Sequence, residues 1–251
     1  MNFPIDISEE SGVRYLHFGS TWIQGAMRIA RPWNLELEYT QEMMASLLLR
    51  DDSRWPRKVL TIGLGTASLT KFLYRNHPLA HLTVVEIEPA VVAAARQFFK
   101  LPEDPKRIDL VIGDGAEYML NNNKRFDLIL VDGFDENARP GALDTLPFYQ
   151  SCRAHLSDDG ILAVNLLARS RGFEASSLRI MEAFSDRTLV FPSCESGNAI
   201  AFAAAGNLVE VSFSDLKENA LALKESTGLN LLPTLARLAQ AKTCLNDTLI
   251  L

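Results

Sequence analysis

The chain is poor in everything that would mark a metal centre, a disulfide framework or a membrane protein. Its 251 residues include only three cysteines (152, 194 and 244) and four histidines (17, 77, 81 and 155). They are widely spaced and match no ligand pattern, so a reduced cytoplasmic setting without a bound metal is expected. No apolar run approaches the roughly 18 residues that a spanning helix needs, and no membrane association is expected. The first ten residues are acidic and lack the positive-then-apolar order of an export signal. With a net charge of −6 and no cluster of Lys and Arg, nucleic acid is not an expected partner. No Gly-x-Ser-x-Gly elbow occurs, and no Lys closes a phosphate-binding glycine loop, which argues against a serine hydrolase or a nucleotide hydrolase. What remains is ordinary globular material, 47% hydrophobic and 22% charged, enough for a sizeable core.

Against that background one stretch stands out. Lys58-Val-Leu-Thr-Ile-Gly-Leu-Gly-Thr-Ala-Ser68 runs from an apolar strand into Gly-x-Gly and then into helix-forming residues. About twenty residues on, Val84-Val-Glu-Ile-Glu88 ends a second apolar run on an acid, the layout of a nucleotide-binding βαβ unit. Gly63 and Gly65 let backbone approach a ligand, and an acid such as Glu86 can accept from both ribose hydroxyls. A third glycine of the fingerprint would fall at Ser68.

The alternation continues on either side. Strands are expected at 58–63, 82–86, 108–112, 127–132, 160–166, 187–191 and 199–204, with helices at 67–76, 89–99, 115–122, 145–156 and 174–185. This pattern predicts an α/β fold with a doubly wound, mainly parallel Rossmann-like sheet, closed by an antiparallel edge pair. A small β-hairpin is expected over 13–29, turning at Gly19-Ser20, then a helix over 35–50. Two further helices, 213–225 and 232–242, are expected after the sheet. The division is thus an N-terminal hairpin segment (1–34), a nucleoside-binding catalytic domain (35–205) and a C-terminal helical tail (206–251). In such a sheet ligands bind beyond the carboxyl ends of the strands. Those ends deliver Gly63-Leu-Gly65, Glu86 and Glu88, Gly113-Asp114-Gly115, and Asp132 with Asp135. Glu88 could instead cap the helix at Pro89, and Asp135 could simply begin a turn.

These residues resemble the spermidine/spermine synthase family. The likeness lies in Ile62-Gly-Leu-Gly65, Val85-Glu-Ile-Glu-Pro89, Gly113-Asp-Gly115, Asp127-Leu-Ile-Leu-Val-Asp-Gly-Phe-Asp135, Phe148-Tyr149 and Leu156-Ser-Asp-Asp-Gly-Ile-Leu162. Upstream, Phe18-Gly-Ser-Thr-Trp-Ile-Gln24 is similar to the family's N-terminal hairpin, and Leu37-Glu-Tyr-Thr-Gln-Glu-Met43 to its tyrosine-bearing helix start. The resemblance implies the fold of class I S-adenosylmethionine-dependent methyltransferases. It also implies transfer of an aminopropyl group from decarboxylated S-adenosylmethionine to a small cationic amine such as putrescine. By motif, Glu86 would hold the ribose, Asp114 the adenine amino group and Gln24 the tail of the nucleoside, with Gly63, Gly65 and Gly115 against the cofactor. Asp132 would be the base, Asp135 would bind the amine, and Tyr39 would join the catalytic site if one residue is inserted before Met43-Met44; otherwise Thr40 takes its place.

Three departures bear on function. Thr66-Ala-Ser68 stands where the family's loop carries an aspartate and two glycines, and Cys194-Glu-Ser-Gly197 where it carries Tyr-Pro-Ser-Gly. The third is the shifted position of Tyr39. Loss of the loop acid leaves two alternatives open: a methyltransferase using intact S-adenosylmethionine, or a nucleoside-binding relative without turnover. Trp22 and Ile23 on the hairpin are expected to be exposed and to serve a homodimer contact.

Overall fold

In a computed structural model, which describes residues 4–50, 52, 54–193, 197–241 and 244–251, the apolar runs of the sequence become the centre of a seven-stranded sheet. Parallel strands covered on both faces bury consecutive residues, and the chain shows this directly. In the strand Phe126–Val131, Leu128 and Leu130 join one apolar cluster while Ile129 and Val131 join the other, and Ile161/Ala163 and Leu162/Val164 divide in the same way in the strand Leu156–Leu167. One core therefore lies on each face of the sheet.

The chain begins with an antiparallel sheet of β1 (Ile5–Glu10), β2 (Val13–Phe18) and β3 (Gly25–Arg28). The expected hairpin is the β2–β3 pair, Val13 opposite Arg28, joined by a longer loop than a turn at Gly19-Ser20. β1 adds a strand that the sequence pattern does not anticipate: only Ile5 and Ile7 pack against the core and the rest of Ile5–Glu10 is exposed, too short an apolar face to stand out. Helix α1 (Glu38–Met43) passes into a 3₁₀ turn at Met44–Leu48 instead of running to residue 50. The Ser46 hydroxyl there donates to the Met43 carbonyl at 2.8 Å, a local bond that competes with the α-helical ladder.

The main sheet follows: β4 (Lys58–Ile62), α2 (Ser68–Asn76), β5 (His81–Glu86), α3 (Pro89–Phe98), β6 (Ile108–Ile112), α4 (Gly115–Leu120), β7 (Phe126–Val131), α5 (Leu146–Ala154), β8 (Leu156–Leu167), α6 (Phe173–Ala183), β9 (Thr188–Pro192) and β10 (Asn198–Ala204). Strand order is β6-β5-β4-β7-β8-β10-β9. β10 is antiparallel to both its neighbours, so the antiparallel strand lies one place in from the edge. The order reverses between β4 and β7, and a ligand crevice is expected at their carboxyl ends.

After the sheet come β11 (Glu210–Ser212), α7 (Phe213–Thr227), α8 (Leu232–Leu238), β12 (Cys244–Leu245) and β13 (Thr248–Ile250). Both expected helices form. The strands make a further small sheet, β11-β13-β12, whose two- and three-residue strands are too short to leave a periodic signal. No helix among the described residues is long and apolar enough to cross a membrane.

Candidate active site

Where β4 ends, Gly63 takes φ +93°, and a Cβ on it would lie 2.1 Å from the Asp132 carbonyl oxygen. Only glycine lets the ends of β4 and β7 come this close. The backbone is then stitched across the switch point, with Gly63 N–H donating to Val85 O and Asp132 N–H donating to Ile62 O, both at 2.9 Å. Gly115 serves packing in the same sense: a Cβ there would meet Ile62 Cγ2 at 2.3 Å. Gly65 differs, since the only neighbour of a Cβ there would be Gln24 O at 3.6 Å, and its backbone faces open space.

Glu86, at the end of β5, is 7% exposed. Its two oxygens accept from Leu64 N–H at 2.8 Å and Glu88 N–H at 2.9 Å, which aims the carboxylate across the glycine loop. Burial raises its pKa against the pull of those backbone donors. Glu88 does cap α3, accepting from Ala90 N–H at 3.2 Å. Asp114 caps α4 in the same manner, with Ala116 N–H and Glu117 N–H both donating to Oδ1. Among the described residues no donor falls on its Oδ2.

Asp132 is held by two side-chain donors. The Tyr39 hydroxyl donates to Oδ2 at 3.1 Å and the Asn165 amide to Oδ1 at 2.8 Å. Asn165 is held in turn by Asn198, whose Nδ2 donates to Asn165 Oδ1 at 2.7 Å. That bond fixes which end of the Asn165 amide faces the acid. Burial lifts the Asp132 carboxyl above its usual range, while the two donors pull it back by favouring the charged form. Burial, and next the charge on Asp132, push the Tyr39 phenol well above its ordinary value, so it stays protonated and donates. Of the two candidates, the Thr40 hydroxyl turns back to Leu37 O at 2.6 Å and the Tyr39 hydroxyl contacts Asp132. Asn165 and Asn198 were not among the sequence candidates. The available signal was a polar residue interrupting a buried apolar strand near its carboxyl end.

Gln24, Tyr39, Gly63, Gly65, Thr66 and Asp132 line one narrow cleft. Asp135 stands apart in the loop after β7, where Oδ1 accepts from Asn137 and Arg139 N–H, each at 2.8 Å; this is the turn-forming arrangement. Thr66 is 3% exposed, and its hydroxyl lies 2.9 Å from Ser68 Oγ and 3.5 Å from Ala26 O. The hydroxyls of this loop are thus tied to β3. A roomier cleft, about 310 Å³, opens where β7 and β8 begin, lined by Arg125, Arg153 and Asp158 among others. It lies at the opposite end of the sheet from Glu86, Asp114 and Asp132. Among the described residues no group of three or more His, Cys, Asp or Glu is placed to hold a metal. Residues 194–196, which stand for the family's missing tyrosine motif, fall outside the described residues. Trp22 and Ile23 are 57% and 51% exposed.

Comparison with known proteins agrees with this geometry. The model of the spermine/spermidine synthase domain matches residues 37–170. A polyamine aminopropyltransferase of Neisseria meningitidis is 35% identical over 229 residues, covering 91% of this chain and 86% of the relative. The chain belongs to the spermidine/spermine synthase family. It is accordingly a transferase. Its fold also matches human methyltransferase-like protein 13, solved with SAH, at a TM-score of 0.69 and 25% identity over 77% of this chain and 93% of that one. A spermidine synthase solved with the transition-state analogue AdoDATO matches at a TM-score of 0.67 and 22% identity, over 94% and 85% of the two chains. The mainly parallel sheet is the one these folds share.

Proposed function

We propose that the chain transfers an aminopropyl group from decarboxylated S-adenosylmethionine to a small diamine such as putrescine, with Asp132 as the base. The observation that carries this reading is the Asp132 carboxylate at the mouth of the glycine-loop cleft, held by Tyr39 and Asn165. An alkylamine is protonated at neutral pH and is no nucleophile until it loses a proton. In this reading the carboxylate anchors the ammonium and takes that proton as the amine attacks. The nitrogen lone pair forms a bond to the sulfonium-bound methylene carbon. The C–S bond breaks, its electron pair goes to sulfur, and neutral methylthioadenosine leaves. Raising the acid's pKa by burial makes it a stronger proton acceptor than an exposed aspartate. The fixed donors keep it ionised and aimed. Glu86 would hold the ribose hydroxyls, Asp114 the adenine amino group and Gln24 the aminopropyl tail, with Asp135 available to the far amine of the acceptor.

A second reading has one specific observation in its favour. At the loop position where an acid would meet the donor's amine, Thr66 offers only a buried hydroxyl engaged with Ser68 and β3. A donor that retains its carboxylate meets no like charge at that point. Methyl transfer from intact S-adenosylmethionine is therefore the alternative.

Titration calorimetry with both donors, followed by mass spectrometry of products from putrescine, separates the two. Aminopropyl transfer is expected, with tighter binding of the decarboxylated donor and no product from Asp132→Asn despite retained donor binding. Tighter binding of the intact donor with a methylated product would overturn the proposal, and a fully active Asp132→Asn would remove the assigned base.

A further inference from the structure

Helix α1 carries Tyr39, yet little within it fixes its position. It spans only Glu38–Met43, its N-cap Leu37 supplies no side-chain bond, and a 3₁₀ turn follows immediately. An isolated helix of this length has no stability of its own and must be held by tertiary contacts. Three tethers come from the segment after residue 205. Arg237 on α8 forms an ion pair with Glu42. Asn219 on α7 donates to Leu48 O at 3.3 Å, and Arg50 donates to Asn207 O at 3.1 Å and Leu208 O at 3.3 Å.

The ion pair is the tether nearest the site. Glu42 is 2% exposed and lies three residues after Tyr39, on an adjoining face of the same turn. Its carboxylate sits in the last turn of the helix, where the carbonyl ends disfavour negative charge. A carboxylate buried there needs a cation, and among the described residues Arg237 is the one that supplies it. Arg237 itself is mostly covered, its side chain 18% exposed. Displacing α8 would take away the partner that ties the Glu42 side chain to the C-terminal segment, and with it a restraint on the turn that carries Tyr39.

We propose that Arg237 is a positioning residue for the Tyr39–Asp132 pair: by pairing with Glu42 it locks helix α1 and sets the Tyr39 hydroxyl on the Asp132 carboxylate. The segment after residue 205 thus contributes to the site without touching it. This inference rests on the assignment of Tyr39 and Asp132 made above, but its test needs no turnover. Titration of the Asp132 carboxyl is followed by ¹³C NMR of aspartate-labelled protein, the resonance being identified by its loss in Asp132→Asn. Tyr39→Phe removes one donor and should move the titration to higher pH. Arg237→Met is expected to move it in the same direction, and to add nothing further in the Tyr39→Phe background. Arg237→Lys should restore most of the wild-type behaviour. Should Arg237→Met not fold, Glu42→Gln, which keeps the side chain's size and removes its charge, carries the same comparison. An Asp132 titration unmoved by either variant, or shifts that add in full to that of Tyr39→Phe, would overturn the proposal even if melting temperature falls. Absence of aminopropyl product from the wild-type protein would instead count against the proposed reaction and leave this result standing.

Discussion

Replacing Asn165 by Leu tests whether the rim is built around Asp132 or merely includes it. The side chains are similar in volume, so the substitution removes the 2.8 Å bond to Asp132 Oδ1 and the acceptor for Asn198 without opening a large cavity. A hydrogen bond to a charged group contributes about 1.5–3 kcal/mol. That bond favours the ionised carboxylate, so its loss makes the acid hold its proton to higher pH. A base must be ionised to act, and the acidic limb of the kcat profile should therefore move upward. Below the limb, kcat should fall roughly 10- to 150-fold, the same energy expressed as a rate. At high pH much of the rate should return, because the carboxylate is ionised again. Asn198→Leu should give a smaller effect of the same sign, since it only frees the Asn165 amide to turn its oxygen toward the acid. The assay is initial velocity with putrescine as acceptor, measured from acid to alkaline pH. A uniform loss of rate at every pH, with the limb unmoved, would refute the reasoning and leave Asn165 a purely structural residue.

Two further predictions concern buried charge. Lys71 is 1% exposed and its Nζ donates to Phe99 O at 2.8 Å; burial lowers its pKa to about 7. The unfolded chain binds that proton up to about pH 10.4, so folding stability should rise with pH above 7 by about 1.4 kcal/mol per pH unit and level off near 10.4. Urea denaturation at several alkaline pH values should show this slope in the wild type and lose it in Lys71→Met; equal slopes would sink the idea. Burial also raises the Asp132 pKa, so the ionised acid costs stability once pH exceeds the ordinary carboxylate range. Asp132→Asn should then melt above the wild type at neutral pH, with the margin closing as pH falls through that range; a lower melting temperature at pH 7 would contradict it.

The sequence made the sheet legible because its strands are apolar runs buried on both faces, such as Phe126–Val131, each ending in a glycine or an acid at the rim. It made the glycine loop legible for the same reason. It concealed β1, a mostly exposed edge whose apolar face is only Ile5 and Ile7, and β11–β13, which are shorter than any periodic window. Asp132 could be read from its place after a strand, but its partners could not. Tyr39 lies 93 residues away in sequence, and Asn165 differs from a buried core polar residue only by what it meets across the sheet. The choice between Tyr39 and Thr40 depended on one residue of register in a six-residue helix, which no pattern fixes; in the fold it is the Tyr39 hydroxyl that contacts Asp132. For Asp135 the resemblance implies amine binding and the local sequence a turn; its Oδ1 does take part in a turn, leaving any ligand the remainder of the carboxylate.

The glycine loop is also held from the N-terminal sheet, which bears on the donor question left by the proposed function. A Cβ on Gly25 would lie 2.6 Å from Thr66 Cγ2, and the Ser68 hydroxyl donates to Ala26 O at 3.3 Å. β3 is thus pressed against the very residues that replace the family's acid. An aspartate at 66 would have to desolvate its charge beside the Ala26 carbonyl oxygen, where a hydroxyl can donate and a carboxylate cannot. The threonine is matched to this strand, so Thr66→Asp alone would set a buried anion against an acceptor and could not by itself restore the missing counter-charge. Of the β2–β3 loop, Gln24 lines the same cleft as Thr66 and Asp132, so under the proposed function any choice between the two donors would involve this loop as well. The N-terminal sheet supports the cleft through β3 and that loop, and by the inference above the C-terminal segment supports it through α1, so both ends of the described fold bear on the acidic rim between them.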